Sequence, residues 1–415
     1  MTPDLVVHGA AWTEKVLFVY PNEFIYWSLQ IVMYPYMTGL VAGAFVLSSL
    51  YHVFGQRDLK EIARFSLVFS ACLLPVALMP LLMHLQQPLR GMHVMFTPHF
   101  TSAIAAFGIV ISTYAVIVLT EIWFVYRQFF VEQALVLKSR QELSSRFKQR
   151  IYTILTLGAW DISDKAVAID KKVVKIVAGI GIPVAGFLHG YAGFIFGSVK
   201  ANALWMSPLM PVIFIMSAVV SGIALCMVTY IVIMEWRKFK AGRAGGDQET
   251  VQSLKGAEIE LMTKTTRYLI FFLIAAIMLE LLDMIFRGYT AMKSWDILRS
   301  VMFHKDFINI FVLQYGLGDA LPFLLLVLPR LSIRRLTVAL VLVLFGVFMM
   351  RWNVVIGGQA FSLSFEGYMH YHMPIIPHSL ETYKEGLTGA LTVAFTPFVL
   401  FWLVNKILPS LEYRT

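Results

Sequence analysis

The chain has 415 residues, of which 58% are hydrophobic and 14% are charged, and its formal net charge is +9. Soluble globular domains are about half apolar and about a quarter charged, so this composition excludes an ordinary water-soluble domain. The surplus of apolar side chains indicates that much of the protein surface faces lipid.

Apolar runs recur along the chain, and each is long enough to cross a hydrocarbon core about 30 Å thick, which takes about 18 residues or more. They cover residues 24–52, 64–85, 98–126, 173–197, 205–236, 266–289, 306–329, 334–356 and 386–406. The sequence lacks the short alternating segments that are typical of outer-membrane β-barrels. It therefore predicts an all-α fold, a polytopic transmembrane helix bundle of about nine helices (about eight to ten).

Two four-helix bundles followed by an additional C-terminal helix form the predicted organisation. The first and fifth runs share a pattern of small residues in which Gly43 matches Gly222, and this pattern indicates a weak internal repeat. Small residues at four-residue spacing let helix backbones approach closely. The predicted divisions are 1–197 for the first bundle, with a cytoplasmic amphipathic insert near 127–171, then 198–356 for the second bundle, and 357–415 for an outer loop and the last helix.

Basic residues are concentrated in every second stretch between the apolar runs. Most of the 34 Lys and Arg residues lie in alternate stretches, namely 53–64, 127–172, 237–267, 330–335 and the C-terminal tail. The positive-inside rule then predicts an N-terminus outside and a C-terminus in the cytoplasm. The basic balance is explained by topology, so nucleic acid is excluded as a partner. The N-terminal residues do not resemble a cleavable signal peptide, so we expect the first helix to act as an uncleaved signal anchor in a bacterial or archaeal cytoplasmic membrane.

Polar side chains inside a membrane are costly, and each one therefore suggests a function. The predicted topology gathers the following in the outer half: Gln30, Tyr34, His84, His99, His189, Tyr191, Glu280 and Asp283. Such donors, acceptors and titratable groups suit a quinone head group, because quinone reduction requires hydrogen bonds to two carbonyls and two protons. The alternative for each residue is a position without a ligand. Tyrosines near a membrane interface are usually belt residues, and histidines near helix ends are more often solvated than bound to a ligand.

A second set of ionisable residues could carry protons across the membrane. Glu121 lies in the inner half of the third run, Asp319 at middle depth in the seventh, and Glu280 and Asp283 further out. The alternative is charge pairing, in which Arg351 neutralises Asp283 or Glu280, and for these outer carboxylates we favour pairing.

Redox cofactors have few candidate ligands in this sequence. Three histidines, His84, His99 and His189, could offer a pair of axial haem ligands, but their spacing singles out no pair. Two cysteines, Cys72 and Cys226, are too few for an iron–sulfur cluster, which usually takes four thiolates. We therefore expect no haem, no iron–sulfur cluster and no other metal site in this chain, and we expect electrons to come from a partner protein.

Four stretches resemble the NrfD-like family, the membrane subunits of polysulfide reductase and related respiratory complexes. They are Gly39-Leu-Val-Ala-Gly43, HGYAGFIFG around Tyr191, Gly193 and Gly197, ALWMSPLMPVIF with Trp205 and Pro208, and RWNVVIGGQ at 351–359. The last stretch resembles the long forms found in sulfite-reductase-associated complexes and in alternative complex III. The resemblance covers the first eight predicted helices and, through the long forms, the ninth.

The resemblance implies a subunit that binds menaquinone or ubiquinone, of which we favour menaquinone, and that carries no redox centre of its own. The family's quinone-binding Tyr corresponds to Tyr191. Its helix 1 His corresponds to Tyr34, and its Asn falls at Ile31, next to Gln30, so this chain departs from the family there. The expected quinone-binding residues are therefore Tyr191, His189, Tyr34 and Gln30.

The expected partners are an extracytoplasmic four-cluster ferredoxin-like iron–sulfur subunit and further respiratory subunits, such as a multihaem cytochrome or a molybdopterin-type protein. The predicted function is electron exchange between that iron–sulfur subunit and quinone, coupled to proton translocation. Two alternatives remain. A secondary transporter would show broken helices at matched positions of the two halves. A structural membrane anchor would have no quinone site.

Overall fold

The computed structural model describes residues 24–102, 104–138, 143–200, 202, 204–243, 248–289, 295–361 and 367–411. The N-terminal stretch before residue 24 lies outside the described residues. The two predictions that concern it, an outer location and no cleavable signal peptide, therefore stay predictions. The described chain is a bundle of long helices, and its only extended pairings are two isolated bridges, Phe24 with His370 and Phe361 with Tyr368.

Nine helices within the described residues are long and apolar enough to cross a membrane. They are α1 (Leu29–His52), α2 (Arg57–His84), α3 (Phe107–Lys138), α4 (Asp164–Gly197), α5 (Met210–Lys240), α6 (Glu258–Tyr289), α7 (Ile308–Val327), α8 (Ile333–Gln359) and α9 (Leu387–Val404). The prediction of an all-α, polytopic membrane bundle is confirmed. We call the end of the bundle at which α1 begins the outer end, following the predicted topology.

Serine side chains start three of these helices. The hydroxyl oxygens of Ser28, Ser163 and Ser332 accept hydrogen bonds from backbone N–H groups in the first turns of α1, α4 and α8. Such caps satisfy donors that have no partner inside the helix. Helix α7 differs from the others, because its first part, Ile308–Ala320, is a π-helix, a wider form that is often found at functional sites.

Helices α1 and α5 form the centre of the bundle. Helix α1 packs against α2, α4, α5 and α8, and α5 packs against α1, α4, α6 and α8. A Cβ atom at Gly43 would lie 2.1 Å from the backbone oxygen of Ala218 and 2.8 Å from the Cα of Gly222. The two glycines that the sequence pattern matched therefore face each other, and their lack of side chains lets α1 and α5 approach closely. The division into two four-helix bundles stays a prediction.

The region between α3 and α4 differs from its prediction as an amphipathic insert. Helix α3 continues to Lys138 and α4 already begins at Asp164, so only the helix Leu143–Leu155 is a separate element among the described residues. The polar residues at both ends of the predicted insert extend the spanning helices beyond the apolar core. Charge predicts the edge of the lipid-facing region, but it does not mark the end of a helix.

The loop between α8 and α9 covers part of the outer end. The backbone carbonyl of His370 accepts a hydrogen bond from the Ile25 N–H at 2.8 Å, and the Gly358 carbonyl accepts one from the Asn202 side chain at 2.6 Å. The Trp205 indole donates to the Val354 carbonyl at 2.5 Å. The His370 contact thus joins this loop to the segment before α1, and the contacts of Asn202 and Trp205 join the segment before α5 to the outer end of α8.

Candidate functional site

The outer half of α1 carries two buried polar side chains on one face, one helical turn apart. Gln30 is fully buried, and its Nε2 donates to the Lys384 carbonyl at 2.6 Å, while its Oε1 has no hydrogen-bond partner among the described residues. Tyr34 is also buried; its ring packs edge-on against Phe107 at 5.7 Å, and its hydroxyl likewise lacks a partner in that set. An unsatisfied buried polar atom costs about 1–3 kcal/mol, so these two atoms mark a place where a ligand would be stabilising.

Tyr191 of α4 lies beside this pair. Its hydroxyl oxygen accepts a hydrogen bond from the Ala106 N–H at 3.3 Å, and its ring lies against Phe187 with centroids 5.8 Å apart. Tyr191 is close enough to Tyr34 to interact with it electrostatically. The structure therefore brings Gln30, Tyr34 and Tyr191 to the outer ends of α1, α3 and α4.

The two histidines near helix ends have different locations. His84 lies at the end of α2. Its Nδ1 forms a hydrogen bond with the Ser28 hydroxyl at 2.9 Å and lies 3.7 Å from the Glu385 carboxylate. Because Ser28 also caps the backbone N–H of Gln30, His84 lies next to the Gln30 end of the site. His99 is exposed and contacts the Thr101 hydroxyl at 2.7 Å, so the structure does not bring it into this group.

His189 lies deeper in the bundle, and both of its ring nitrogens have partners. Nε2 is 2.9 Å from an Arg351 nitrogen, and Nδ1 is 3.4 Å from the Thr38 hydroxyl. Because a guanidinium can only donate, Nε2 must accept, and the ring proton then lies on Nδ1, facing Thr38. The Thr38 hydroxyl in turn donates to the Tyr34 carbonyl at 3.1 Å. His189 is therefore a neutral connector between Arg351 and the backbone of α1 in this arrangement, not an open group beside Tyr34.

Arg351 is fully buried at the centre of the bundle. Besides His189, it donates to the Ser217 hydroxyl at 2.7 Å and to the Phe214 carbonyl at 3.4 Å, and its guanidinium carbon lies 3.8 Å from the centroid of the Phe214 ring. These groups are neutral, and the carboxylate that interacts with it electrostatically is Glu280. Such a cation over an aromatic face gains about 2 kcal/mol or more when desolvated.

Of the two carboxylates that could pair with Arg351, Glu280 interacts with it electrostatically, whereas Asp283 has another cation as its partner. Asp283 instead accepts a hydrogen bond from Arg287 at 2.8 Å, one turn further along α6, and a second, short one from the Ser207 hydroxyl. The reason is helical spacing: residues four apart on one helix face are neighbours, so Asp283 has a closer cation than Arg351.

Glu280 forms a different set of contacts, with α7. Its carboxylate accepts from the Gln314 Nε2 at 2.8 Å, and Tyr315 also hydrogen-bonds to it. Asp319, one turn further along α7, interacts electrostatically with Glu280. Two residues of the predicted proton path, Glu280 of α6 and Asp319 of α7, therefore interact with each other.

Glu121, the innermost residue of the predicted proton path, is fully buried and lies 3.1 Å from Nδ1 of His52. His52 ends α1 and lines a cavity of about 1040 Å³ that opens at the inner end of the bundle. Basic and acidic side chains line the same cavity, among them Arg57, Lys60 and Asp170. Sequence analysis missed His52. The available signal was the position of His52 at the end of an apolar run, four residues after Ser48. The two side chains form a hydrogen bond at 3.2 Å.

Metal ligands do not cluster in the part of the chain that the structure describes, where no group of three or more His, Cys, Asp or Glu side chains could hold a metal ion. Cys72 and Cys226 are both buried and unpaired with each other. The side chains that converge at the outer ends of α1, α3 and α4 are thus hydrogen-bonding and aromatic groups.

Comparisons with known proteins agree with this architecture. The family model described as "Polysulphide reductase, NrfD" matches residues 20–363. The chain is 27% identical over 336 residues to a protein of Mesobacillus selenatarsenatis that is named as a subunit of selenate reductase, covering 80% of this chain and 73% of that protein. It is 28% identical over 325 residues to a Halobacterium salinarum protein that is named as a membrane subunit of dimethyl sulfoxide reductase, covering 77% and 66% of the two chains.

A shorter match supports the same assignment. Protein NrfD of Escherichia coli is 23% identical over 210 residues, which cover 50% of this chain and 60% of that protein. The family model itself covers well over half of the chain and includes α1 to α8. The chain therefore belongs to the NrfD family of polysulphide reductase membrane proteins.

Proposed function

We propose that this protein is the quinone-reactive membrane subunit of a respiratory oxidoreductase complex. The observation that carries the proposal is a pair of buried polar atoms without a partner in the described part of the chain, Gln30 Oε1 and the Tyr34 hydroxyl, with Tyr191 near Tyr34. A quinone carbonyl can accept a hydrogen bond from the Tyr34 hydroxyl, and a quinol hydroxyl can donate to Gln30 Oε1. The aromatic ring of Phe107, which packs on Tyr34, gives the site an apolar wall.

We propose that electrons reach this site from another protein of the complex. Among the described residues no group of three or more His, Cys, Asp or Glu side chains could hold a metal ion, and quinone reduction consumes two electrons and two protons. Relatives are named as subunits of selenate and dimethyl sulfoxide reductases, which supports a multi-subunit complex for this chain as well. We propose an extracytoplasmic iron–sulfur subunit, of the four-cluster ferredoxin-like type, that docks on the outer end near α1 and α4. Menaquinone is the quinone we expect.

Proton coupling is the second part of the proposal. The inner cavity leads from the basic end of the bundle to His52, which contacts Glu121. Further out, Asp319 and Glu280 interact across α6 and α7. We propose that protons enter from the cytoplasm through this cavity and reach the middle of the bundle through Glu121 and Asp319.

The quinone site is tested by removing the Tyr34 hydroxyl alone. We expect Tyr34→Phe to weaken binding of a menaquinone analogue and quinone-linked turnover by about tenfold, since one lost hydrogen bond of about 1.4 kcal/mol corresponds to that factor. Tyr126→Phe makes the same chemical change in the inner half of α3, where the hydroxyl contacts the Pro409 carbonyl at 3.5 Å. This control should bind the analogue like the wild type.

The structural-anchor alternative makes the opposite prediction for the same variants. A pure anchor should keep full quinone-linked activity in Tyr34→Phe and in Tyr191→Phe, and that outcome would refute the proposed site. The transporter alternative needs helices that are interrupted at matched positions. Pro35, the candidate break in the first half, lies inside the continuous helix α1, which disfavours a transporter.

The inner proton path is tested in liposomes that contain the whole complex. We expect Asp319→Asn and Glu121→Gln to reduce proton uptake from the inner side per quinone reduced. Equal proton uptake by the wild type and both variants would eliminate this route while leaving the quinone site in place.

A further inference from the structure

The cavity at the inner end of the bundle collects positive side chains from two helices. It has a volume of about 1040 Å³, and the Arg and Lys residues that line it are Arg57, Lys60 and Arg64 of α2 and Lys171 and Lys175 of α4. Residues three or four apart lie on one face of a helix, so each helix presents its cations to the same space. Like charges at this spacing destabilise a helix, and an anion between them would offset that repulsion.

The carboxylates that line this cavity do not pair with these five cations. Among the described residues each carboxylate accepts a hydrogen bond from a different donor: Asp170 from Arg127 at 2.6 Å, Glu61 from the Tyr230 hydroxyl at 3.3 Å, and Glu132 from Gln128 at 2.8 Å. None of the five cations forms an ion pair or a side-chain hydrogen bond within the described part of the chain. Positive charge is therefore in excess in the cavity.

Arg64 is the least exposed of these cations. Its side chain is half-buried, whereas the other four residues are exposed, and its guanidinium carbon lies 5.8 Å from the centroid of the buried Tyr126 ring. A guanidinium is a planar fork that matches two phosphate oxygens and also stacks on aromatic faces. Tyr51 and Phe129 add further aromatic rings to the cavity wall. The cavity thus combines one directed donor with surrounding positive charge and with apolar surface.

We propose that this cavity binds a phosphate ester, with the Arg64 guanidinium donating to two phosphate oxygens and the lysines of α2 and α4 neutralising the remaining charge. Pockets for small organic ligands usually measure about 300–1,000 Å³, so this volume suits an organic phosphate rather than a bare ion. The phosphate can belong to an anionic phospholipid, since basic pockets between membrane helices on the cytoplasmic side bind such head groups, or to a soluble ester. The inference does not depend on the proposed quinone site or proton path, neither of which assigns a role to these cations.

The alternative is that the cations serve membrane topology alone, because basic residues are concentrated at the cytoplasmic ends of helices in any case. Topology needs charge at this end of the protein, but it does not need the charges to share a cavity or to lack counter-ions. Lys264, at the same end on α6, has both Asp58 at 3.0 Å and Glu260 at 2.9 Å as partners. The lining cations differ from it in having no carboxylate partner among the described residues.

The experiment measures thermal unfolding of the full chain in one detergent at constant ionic strength. A ligand that binds the folded state raises the midpoint as its concentration increases. We titrate glycerol 3-phosphate as the soluble probe, and phosphatidylglycerol or phosphatidylcholine in mixed micelles as the lipid probes. A saturable rise with glycerol 3-phosphate indicates a soluble ester as ligand. A rise with phosphatidylglycerol alone indicates an anionic lipid.

Variants of the lining cations test where the effective probe binds. We expect Arg64→Gln and Lys171→Gln to raise the concentration for a half-maximal shift at least tenfold, and Arg64→Lys, which keeps the charge, to have a smaller effect. Lys172→Gln removes the same charge from the next residue of α4, which is exposed and does not line the cavity, and it should respond like the wild type. Lys171 is exposed as well, so Lys171→Gln should fold normally even if Arg64→Gln does not.

Three results would overturn the site. The first is a wild-type midpoint that no probe raises. The second is an equal response to phosphatidylcholine and phosphatidylglycerol, because a positive cavity must distinguish a neutral from an anionic head group. The third is a response of Lys171→Gln that equals that of Lys172→Gln, since the positive charge would then act without regard to the cavity.

Discussion

Single glycines control the closest helix contact in this protein. At Gly43 a Cβ would lie 2.1 Å from the Ala218 carbonyl oxygen, and at Gly222 it would lie 2.4 Å from the Gly43 backbone. Backbone atoms cannot move aside as a flexible side chain can, so any side chain here must push α1 and α5 apart. Both helices also contact the buried His189 and Arg351: the Thr38 hydroxyl of α1 hydrogen-bonds with His189, and the Ser217 hydroxyl of α5 accepts from Arg351. The distance between α1 and α5 therefore affects these hydrogen bonds as well as the packing.

We therefore expect Gly43→Ala to destabilise the folded protein by about 1–3 kcal/mol, the usual cost of overpacking a core. Gly179→Ala is the matched control, because a Cβ at Gly179 meets nothing within 4 Å. Thermal unfolding of the two purified variants in the same detergent measures the difference. Equal midpoints for Gly43→Ala and Gly179→Ala would contradict the close contact.

His189 illustrates what a sequence can and cannot say about a site residue. Topology places a side chain at a depth in the membrane, and at that level His189 and Tyr191 are equivalent. It does not give the direction of the side chain around the helix axis. Two positions apart on α4, the two residues point to different neighbours: Tyr191 towards Ala106 at the outer end of α3, and His189 towards Arg351 in the centre.

This difference predicts separate consequences for the two residues. His189→Ala removes a partner from the buried Arg351, and we expect a loss of about 1–3 kcal/mol of stability. Tyr191→Phe should leave stability nearly unchanged and weaken binding of a menaquinone analogue. Thermal unfolding and analogue titration of both variants test this. A His189→Ala protein with wild-type stability and lost analogue binding would assign His189 to the quinone site after all.

The loop between α3 and α4 is held by one buried ion pair. Arg127 of α3 donates to both carboxylate oxygens of Asp170 in α4, at 2.6 to 3.0 Å, and to the backbone carbonyls of Asp161 and Ala159. The Trp123 indole also donates to the Leu155 carbonyl at 2.8 Å. One guanidinium therefore connects two spanning helices with the segment between them, and the segment depends on both partners.

We expect Asp170→Asn to cost about 3–5 kcal/mol, because it leaves a buried cation without its counter-charge. Asp58→Asn is the control, since the Asp58–Lys264 pair has a similar distance of 3.0 Å but an exposed carboxylate, and such pairs contribute about 0–1 kcal/mol. Limited proteolysis between α3 and α4 should accelerate in Asp170→Asn alone. Equal cleavage of both variants would show that the ion pair does not hold this segment.

At the level of elements, the sequence was sufficient to predict the number and order of the candidate spanning helices in the described part of the chain. Length and hydropathy decide these, because lipid excludes other backbone structures. The helix ends were less accurate: α3 begins at Phe107, whereas its apolar run begins at 98. The turn at residues 104–106 carries the backbone N–H that meets Tyr191, and apolar composition does not distinguish such a turn from a helix.

The candidate site could be predicted only in part, for the same physical reason. Gln30, Tyr34 and Tyr191 are candidates from sequence alone because a polar group inside a membrane is costly wherever it points. The contacts of His52 with Glu121 and of Gln314 with Glu280 could not be predicted, because they join helices that are distant in sequence. Neither spacing nor composition along one chain contains that information.

The whole molecule has different chemistry at its two ends. At the outer end, two polar atoms have no partner among the described residues, Gln30 Oε1 and the Tyr34 hydroxyl, and the loop that supplies Lys384 covers them. The inner end holds the large cavity lined with basic side chains, and it leads to His52. If quinone chemistry occurs at one end and proton entry at the other, orientation decides whether turnover moves charge across the membrane.

The orientation of the protein in the membrane is therefore the property that most affects the proposed function. We predict an outer location for the loop before α9 and a cytoplasmic location for the helix Leu143–Leu155. Ile376 and Lys148 are exposed on these two segments. The native cysteines, Cys72 and Cys226, are buried at 4% and 0% exposure, so they should give little background labelling. In intact cells a membrane-impermeant maleimide should label Ile376→Cys at once, and Lys148→Cys only after permeabilisation. The reverse pattern would place the polar site around Tyr34 on the cytoplasmic side. Quinone reduction at this site would then take its protons directly from the cytoplasm, and the cavity near His52 would open to the outside.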